Sequence, residues 1–332
     1  MNNEFDKDKI SVLMIAPVAT VSGYGARSRD IATALINNDK YDVKIWSTRW
    51  GTTPTTALSD QDPAHVAIHS RLLQAPTLKQ KPDIFIQVTV PTEFKPLGKF
   101  NIGITAGIET TIASAPWIKG CNEMDMVITS SEHSKKVLTQ SVWNEGDPTK
   151  GPVSEVRVTK PVHVLFEGVD LDKYFPTKEI HETIHTELSQ IKESFCFLFV
   201  GHWMQGELGQ DRKDVAGLVK TFLEAFKGKA SRNMPALILK TSQGNFSPPD
   251  KHAILIRLRA VYALVGKGKS LPRVYLIHGA LEDEEMNSLY NHPKVKAHIT
   301  LTKGEGYGRP LAEVSVTGKP IIASAWSGQL DF

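Results

Sequence analysis

Two successive series of buried-type strands and amphipathic helices predict an α/β protein built from two Rossmann-like domains facing across a cleft. Each series opens on a continuous apolar run, one over residues 10–16 and one over 195–200, and a polar stretch separates the two. A chain of 332 residues is too long for one ordinary domain and suffices for two that each bury a core. The domains are placed at 1–170 and 190–332, with residues 171–189 as the linker.

In the first series, residues 10–16 carry β-branched and aliphatic residues without alternation, the form of a parallel strand covered on both faces, and Pro17 ends it. Ser22-Gly23-Tyr24-Gly25 then leads into a helix expected over 27–37, with Ile31, Leu35 and Ile36 toward a sheet. Strands follow at 42–47, 83–88, 101–105, 126–130 and 162–166, with a helix at 132–140 whose cap is Ser131. The turn Gly23-x-Gly25-x-x-Ser28 is close to a dinucleotide fingerprint. That fingerprint needs an acid at the end of the second strand for a ribose, and Ile45-Trp46-Ser47-Thr48 offers none. Thr105 and Glu109 lie just past the carboxyl end of a parallel strand, where α/β proteins bind ligands.

Residues 178–192 are polar and expected to be helical. The second series continues with the strand 195–200, a helix begun by Asp211-Arg212-Lys213-Asp214 with Leu218, Phe222 and Phe226 on its apolar face, and strands at 273–277 and 295–300. Gly268-Lys269-Ser270 is reminiscent of a phosphate-binding loop, but it ends a helix and leads into a strand, the wrong order for one. Glu282 to Glu285 form an acidic first turn that complements a helix dipole.

The most informative stretch is Gly304-Glu305-Gly306-Tyr307-Gly308-Arg309-Pro310-Leu311-Ala312-Glu313, followed by Gly318-Lys319-Pro320 and a buried-type strand. A turn free of bulky side chains lets backbone N–H groups approach a phosphate, and a helix start aims its positive end there. Carboxylates repel a phosphate, so Glu305 and Glu313 are expected to bind hydroxyls. Phosphate beside hydroxyls describes a sugar nucleotide.

This stretch resembles the E-x7-E signature of retaining glycosyltransferases of the GT-B fold, most nearly family 4 (glycosyl transferases group 1), and weaker similarity extends along nearly the whole chain. Gly168-Val169-Asp170 with Tyr174-Phe175-Pro176 is similar to that family's exit from the first domain. The resemblance implies transfer of a sugar from a nucleotide-diphosphate sugar to an acceptor hydroxyl, with retention of configuration, no required metal and no cofactor. It implies catalytic roles for Glu305, Lys213 and Arg212, the two cations meeting the donor diphosphate. Donor binding is expected at Glu313, Gly306, Tyr307, Gly308, Arg309, Leu311, Gly23, Gly25, His278 and Gly279. The histidine that the family often presents in the first domain has no clear counterpart, and Thr105 and Glu109 stand on the acceptor side instead. The sequence stops at Phe332, just after Ser327-Gly328-Gln329, where such a domain is expected to continue, so its C-terminal part is expected to be truncated.

Composition narrows the alternatives. With 39 Lys+Arg against 36 Asp+Glu, a net +3 argues against electrostatic capture of nucleic acid as the main design. No apolar run approaches the ~20 residues of a transmembrane helix. The polar start is unlike a signal peptide, and Cys121 and Cys196 stand in apolar surroundings, which together predict a cytoplasmic protein with reduced thiols. A glycan or small-molecule acceptor is expected. Two other readings stay open: a nucleotide-sugar-binding protein without turnover, and a glycosyltransferase acting on modified DNA bases, for which Arg27, Arg29, Lys44, Arg49, Trp46 and Trp50 offer cations and aromatics.

Overall fold

The computed structural model describes residues 4–75, 78–107, 110–146, 153–204, 206, 208–230, 232, 234–266 and 270–332. The chain divides into two compact units, with the change at Glu167/Gly168. Each is a parallel sheet with helices on both faces.

The first unit runs β1 (Ile10–Ala16), α1 (Gly23–Ile36), β2 (Tyr41–Ser47), α2 (Pro63–His69), β3 (Ile84–Val88), β4 (Phe100–Ile104), α3 (Ala115–Glu123), β5 (Met126–Thr129), α4 (Glu132–Gln140), β6 (Trp143–Glu145), β7 (Ser154–Val156) and β8 (Val162–Val164). Its six-stranded sheet has the order β2-β1-β3-β4-β5-β8, all parallel, and β6 and β7 form a separate antiparallel pair. The continuous apolar character of β1 has a direct cause. Val12, Met14 and Ala16 join one core with Ala32 of α1, while Leu13 joins another with Ile118 of α3 and Leu138 of α4, so neither face meets water.

The glycine turn differs from the sequence expectation. Rather than preceding the helix, it forms the first turn of α1: Ser22 caps the helix by accepting from Gly25 N–H at 2.9 Å. A Cβ at Gly25 would stand 2.2 Å from the Thr20 carbonyl oxygen, whereas one at Gly23 would meet open space. Gly25→Ala is therefore expected to destabilise by about 1–3 kcal/mol and Gly23→Ala to stay within roughly 0.5 kcal/mol, readable in urea unfolding. Equal effects would contradict this reading of the turn.

The second unit runs α5 (Glu182–Ser189), β9 (Cys196–Val200), α6 (Val215–Phe226), β10 (Ala236–Lys240), α7 (Pro248–Val265), β11 (Arg273–Ile277), α8 (Asp283–Asn291), β12 (Val295–Ile299), α9 (Arg309–Ser315) and β13 (Ile321–Ile322). Its parallel sheet has the order β11-β10-β9-β12-β13. Phe199, Leu237 and Leu239 pack against Leu218 and Phe222 of α6 and Ile254 and Leu258 of α7. On the other face, Leu198 and Ile238 meet Ile184 and Leu188 of α5 and Leu289 and Tyr290 of α8. Residues 171–189, read from sequence as a linker, thus contribute Tyr174, Ile184 and Leu188 to this core. The helix expected over 178–192 is the shorter α5, started by His181, and the strand expected over 162–166 ends at Val164, leaving Leu165 and Phe166 exposed.

Both cysteines are free and fully buried, and burial pushes the Cys121 thiol up to about 12 and Cys196 to about 11. Among the described residues, no helix is long and apolar enough to cross a membrane.

Candidate active site

In a parallel sheet the strand ends that face ligands are the carboxyl ends, and in the second unit these carry the charged residues. Glu305 lies in the loop between β12 and α9, and Arg212 and Lys213 lie between β9 and α6. Although 92 and 93 residues apart in sequence, they form one cluster: Lys213 Nζ contacts both Glu305 oxygens at 2.5 and 2.6 Å, and Arg212 Nη1 donates to Oε2 at 3.1 Å. Arg212 also donates to the Gly304 carbonyl and, through its own carbonyl, accepts from Lys303 N–H at 2.8 Å. These bonds lock the two loops together.

Glu305 is only 8 % exposed. Burial pushes its carboxyl up, but the charges of Lys213 and Arg212, with hydrogen bonds from Lys213 and Thr302, outweigh that and hold it below the usual range. It stays ionised at neutral pH. Ser327 closes the other side: its hydroxyl accepts from Glu305 N–H at 3.1 Å and donates to Glu305 C=O at 2.8 Å, while Gly328 N–H donates to the same carbonyl at 3.0 Å. Ser327 takes a left-handed backbone at φ 76° to do so, a strained choice for a non-glycine residue.

Gly308 sits at φ 102° as the residue before α9, a conformation that favours glycine. Leu311 N–H is taken by the Gly308 carbonyl and its side chain is buried, so Leu311 contributes packing there. Tyr307 is also buried, with its ring 5.0 Å from that of Phe332. Glu313 accepts from the Tyr290 hydroxyl at 2.9 Å, and Arg309 Nε lies 3.9 Å from its other oxygen. Burial, then the Glu313 charge, raises the Tyr290 hydroxyl well above the ordinary tyrosine value, which keeps it a donor.

His278 follows β11 and is held by Asp250, whose Oδ2 lies 2.7 Å from its Nε2; both Asp250 oxygens also accept from Gln243 N–H. The imidazole Nε2 is thereby held by the protein. The Gly279 carbonyl in turn accepts from Lys240 Nζ at 2.5 Å, and burial lowers this lysine to about 8, opposed by Glu285. Sequence reasoning missed Ser327, Tyr290, Asp250 and Lys240.

His298 on β12 is 1 % exposed and its Nδ1 is buried without a hydrogen-bond partner. Burial first, and the Lys213 charge second, lower it from 6.5 to about 4, with Glu305 opposing. In the unfolded chain it binds a proton from about pH 6.5 downward, in the folded chain only near 4. Stability is thus present above pH 6.5 and lost as pH falls toward 4, by on the order of 3 kcal/mol. Replacing it by a non-titrating residue, His298→Asn, is expected to flatten the fall in melting temperature between pH 7 and pH 4.5; an unchanged slope would count against this assignment.

In the first unit, the Tyr24 hydroxyl of α1 bonds Thr105 Oγ1 at 2.9 Å and accepts from Ala106 N–H at 3.0 Å, and its ring stacks on Trp50 at 3.9 Å. Thr105 is fully buried, so it orients Tyr24. Glu109 lies outside the described residues. Arg27 is buried and donates to the Leu165 carbonyl, Arg29 donates to those of Val18 and Thr20, and Lys44 covers the Phe5 ring; only Arg49 of these four is exposed. Trp46 is half-buried. Of the cations considered for nucleic acid, Arg27 is thus buried, Arg29 and Lys44 are half-buried and Arg49 is exposed. Among the described residues no three His, Cys, Asp or Glu side chains converge as a metal-holding group.

No family model matches the sequence, and no curated protein matches it. Solved structures do. The chain is similar to sucrose-phosphate synthase from Thermosynechococcus elongatus (15 % identity, TM-score 0.61, 96 % of this chain and 82 % of that one). It is similar to Anabaena HepE in complex with UDP and glucose (14 %, 0.55, 97 % and 82 %). It is also similar to the E. coli trehalose-6-phosphate protein bound with UDP-2-fluoro glucose (12 %, 0.57, 96 % and 85 %). At such identities the likeness establishes the fold: the two α/β units are those of the GT-B glycosyltransferase architecture.

Proposed function

We propose that this chain is a cytoplasmic glycosyltransferase that moves a sugar from a nucleoside-diphosphate sugar to an acceptor hydroxyl, retaining the anomeric configuration and needing no metal. The observation that carries the reading is the buried, ionised Glu305 held between Lys213 and Arg212 at the carboxyl edge of the second sheet. In the reaction the bond from the anomeric carbon to the diphosphate oxygen breaks, one to the acceptor oxygen forms, and the acceptor proton passes to the departing diphosphate. Negative charge builds on the departing diphosphate, and two cations preset beside it stabilise that charge without reorganising. Glu305, at the same place, contacts the hydroxyls of the transferred sugar. Glu313, further along α9, takes the ribose hydroxyls, with Tyr290 fixing its rotamer. UDP and UDP-sugar ligands in the similar structures support a donor of this class.

The second unit is the donor domain and the first the acceptor domain, with a glycan or small-molecule hydroxyl as acceptor; Arg27 and Arg29, engaged by backbone carbonyls of their own unit, speak against a DNA acceptor. The test is to incubate the protein with a panel of labelled nucleotide sugars and acceptors, DNA with hydroxymethylated bases included, and to follow product mass and anomeric configuration. An inverted product, or a strict need for added manganese, would overturn retention or metal independence; donor binding without turnover would leave a binding protein. Glu313→Gln is expected to weaken donor binding about tenfold with kcat little changed, because a ribose contact is the same in ground and transition states. A change confined to kcat would move Glu313 to the reacting centre.

A further inference from the structure

The amino-terminal edge of the second sheet, opposite the candidate site, carries a cavity of about 780 Å³. It opens where β9, β10 and β11 begin, over the rings of Phe195, Phe197 and Phe226. These rings are fixed in a ladder: Phe195 lies 5.2 Å from Phe197, and Phe197 lies 5.9 Å from Phe226, with Phe195 outermost and 46 % exposed. The rim is cationic, with Lys192, Arg232 and Arg273 lining it, and Lys229, outside the lining, covers the Phe226 ring at 5.1 Å. Among the described lining residues the one acid is Glu193, already engaged by the Tyr275 hydroxyl at 2.9 Å and by Arg273 at 3.9 Å. Positive charge is therefore in excess above an aromatic floor.

We infer that this cavity binds a planar aromatic anion, its ring on Phe195 and its charge among Lys192, Arg232 and Arg273. The volume is that of a small-molecule site. An inorganic anion would leave the phenylalanine ladder unused, and a neutral apolar ligand would leave the excess positive charge of the rim unbalanced; a flat ring carrying an acid uses both. The site shares no residue with the donor cluster, so it stands or falls independently of the proposed reaction.

The probe is 8-anilinonaphthalene-1-sulfonate, titrated by fluorescence into the full chain with saturating UDP present to occupy the donor site. Saturable binding is expected, weakened about tenfold by Lys192→Glu and severalfold by Phe195→Ala. Both residues are surface-exposed, and melting temperatures confirm that the variants fold. The neutral analogue N-phenyl-1-naphthylamine is expected to bind about tenfold more weakly than the sulfonate. Equal binding of the neutral analogue, unchanged dye affinity in both variants, or no saturable dye binding while UDP is present would each overturn the assignment.

Discussion

Glu305→Gln is expected to lower turnover about 10²–10³-fold while binding of free UDP is kept or becomes tighter. The sign of the second effect follows from the geometry. The Glu305 carboxylate is an anion facing Lys213 at 2.5 and 2.6 Å and Arg212 at 3.1 Å, so an incoming diphosphate shares its cations with a charge already there. The amide keeps the shape and removes that competitor. Turnover suffers because the carboxylate acts where charge changes during transfer, and an amide cannot supply it. Calorimetric titration with UDP and steady-state kinetics read the two effects separately. Normal turnover in the variant would remove Glu305 from the reacting centre, and loss of UDP binding would show that the carboxylate positions the cations more than it competes for them.

The fold was legible because its strands are buried on both faces: β1, β9 and β11 stand out as apolar runs, and the Gly/Pro turns mark where they end. β10 was not read. Its Ala-Leu-Ile-Leu-Lys is as short as β9 and β11 but consists mainly of strong helix formers where those two carry aromatic and β-branched residues, so composition does not mark it as a strand. The short helix α2 escaped as well, although Asp62 caps it and Pro63 starts it, signals that were present but unsupported by any long apolar stripe. At the site, the sequence showed which residue types stood near the motif but not their pairing. Nothing in the spacing tells that Lys213 and Arg212 both close on Glu305, since that contact is made by two loops from different strands of the sheet. Asp250 stands 28 residues before His278, and only the fold brings the two together. Ser327 had one visible sign, the small Ser-Gly pair after β13, but its clasp on Glu305 depends on a left-handed backbone that side-chain chemistry does not announce.

Lys213→Ala is expected to cost about 3–5 kcal/mol, the scale for breaking a buried ion pair by removing one partner. Glu305 would keep Arg212 at 3.1 Å but lose two short contacts inside a site where the side chain is 10 % exposed. The value should therefore sit at the lower end of that range, a fall in melting temperature on the order of 10 °C. Burial is the largest influence on the Glu305 carboxyl and acts to raise it; Lys213 is the first of those that lower it. Without Lys213 the carboxyl rises, so the variant's penalty is greatest at neutral pH and shrinks as pH falls and Glu305 takes up a proton. In the wild type the sign is the opposite: a carboxyl held below its unfolded value of 4.5 contributes stability above that pH and loses it as pH drops through the folded value. The double variant Lys213→Ala/Glu305→Gln removes the stranded charge and is expected to recover part of the loss, a coupling of 1 kcal/mol or more on the scale of contacting pairs. Additive single effects, or a Lys213→Ala cost under about 0.5 kcal/mol, would mean that the two side chains do not share their charge in solution.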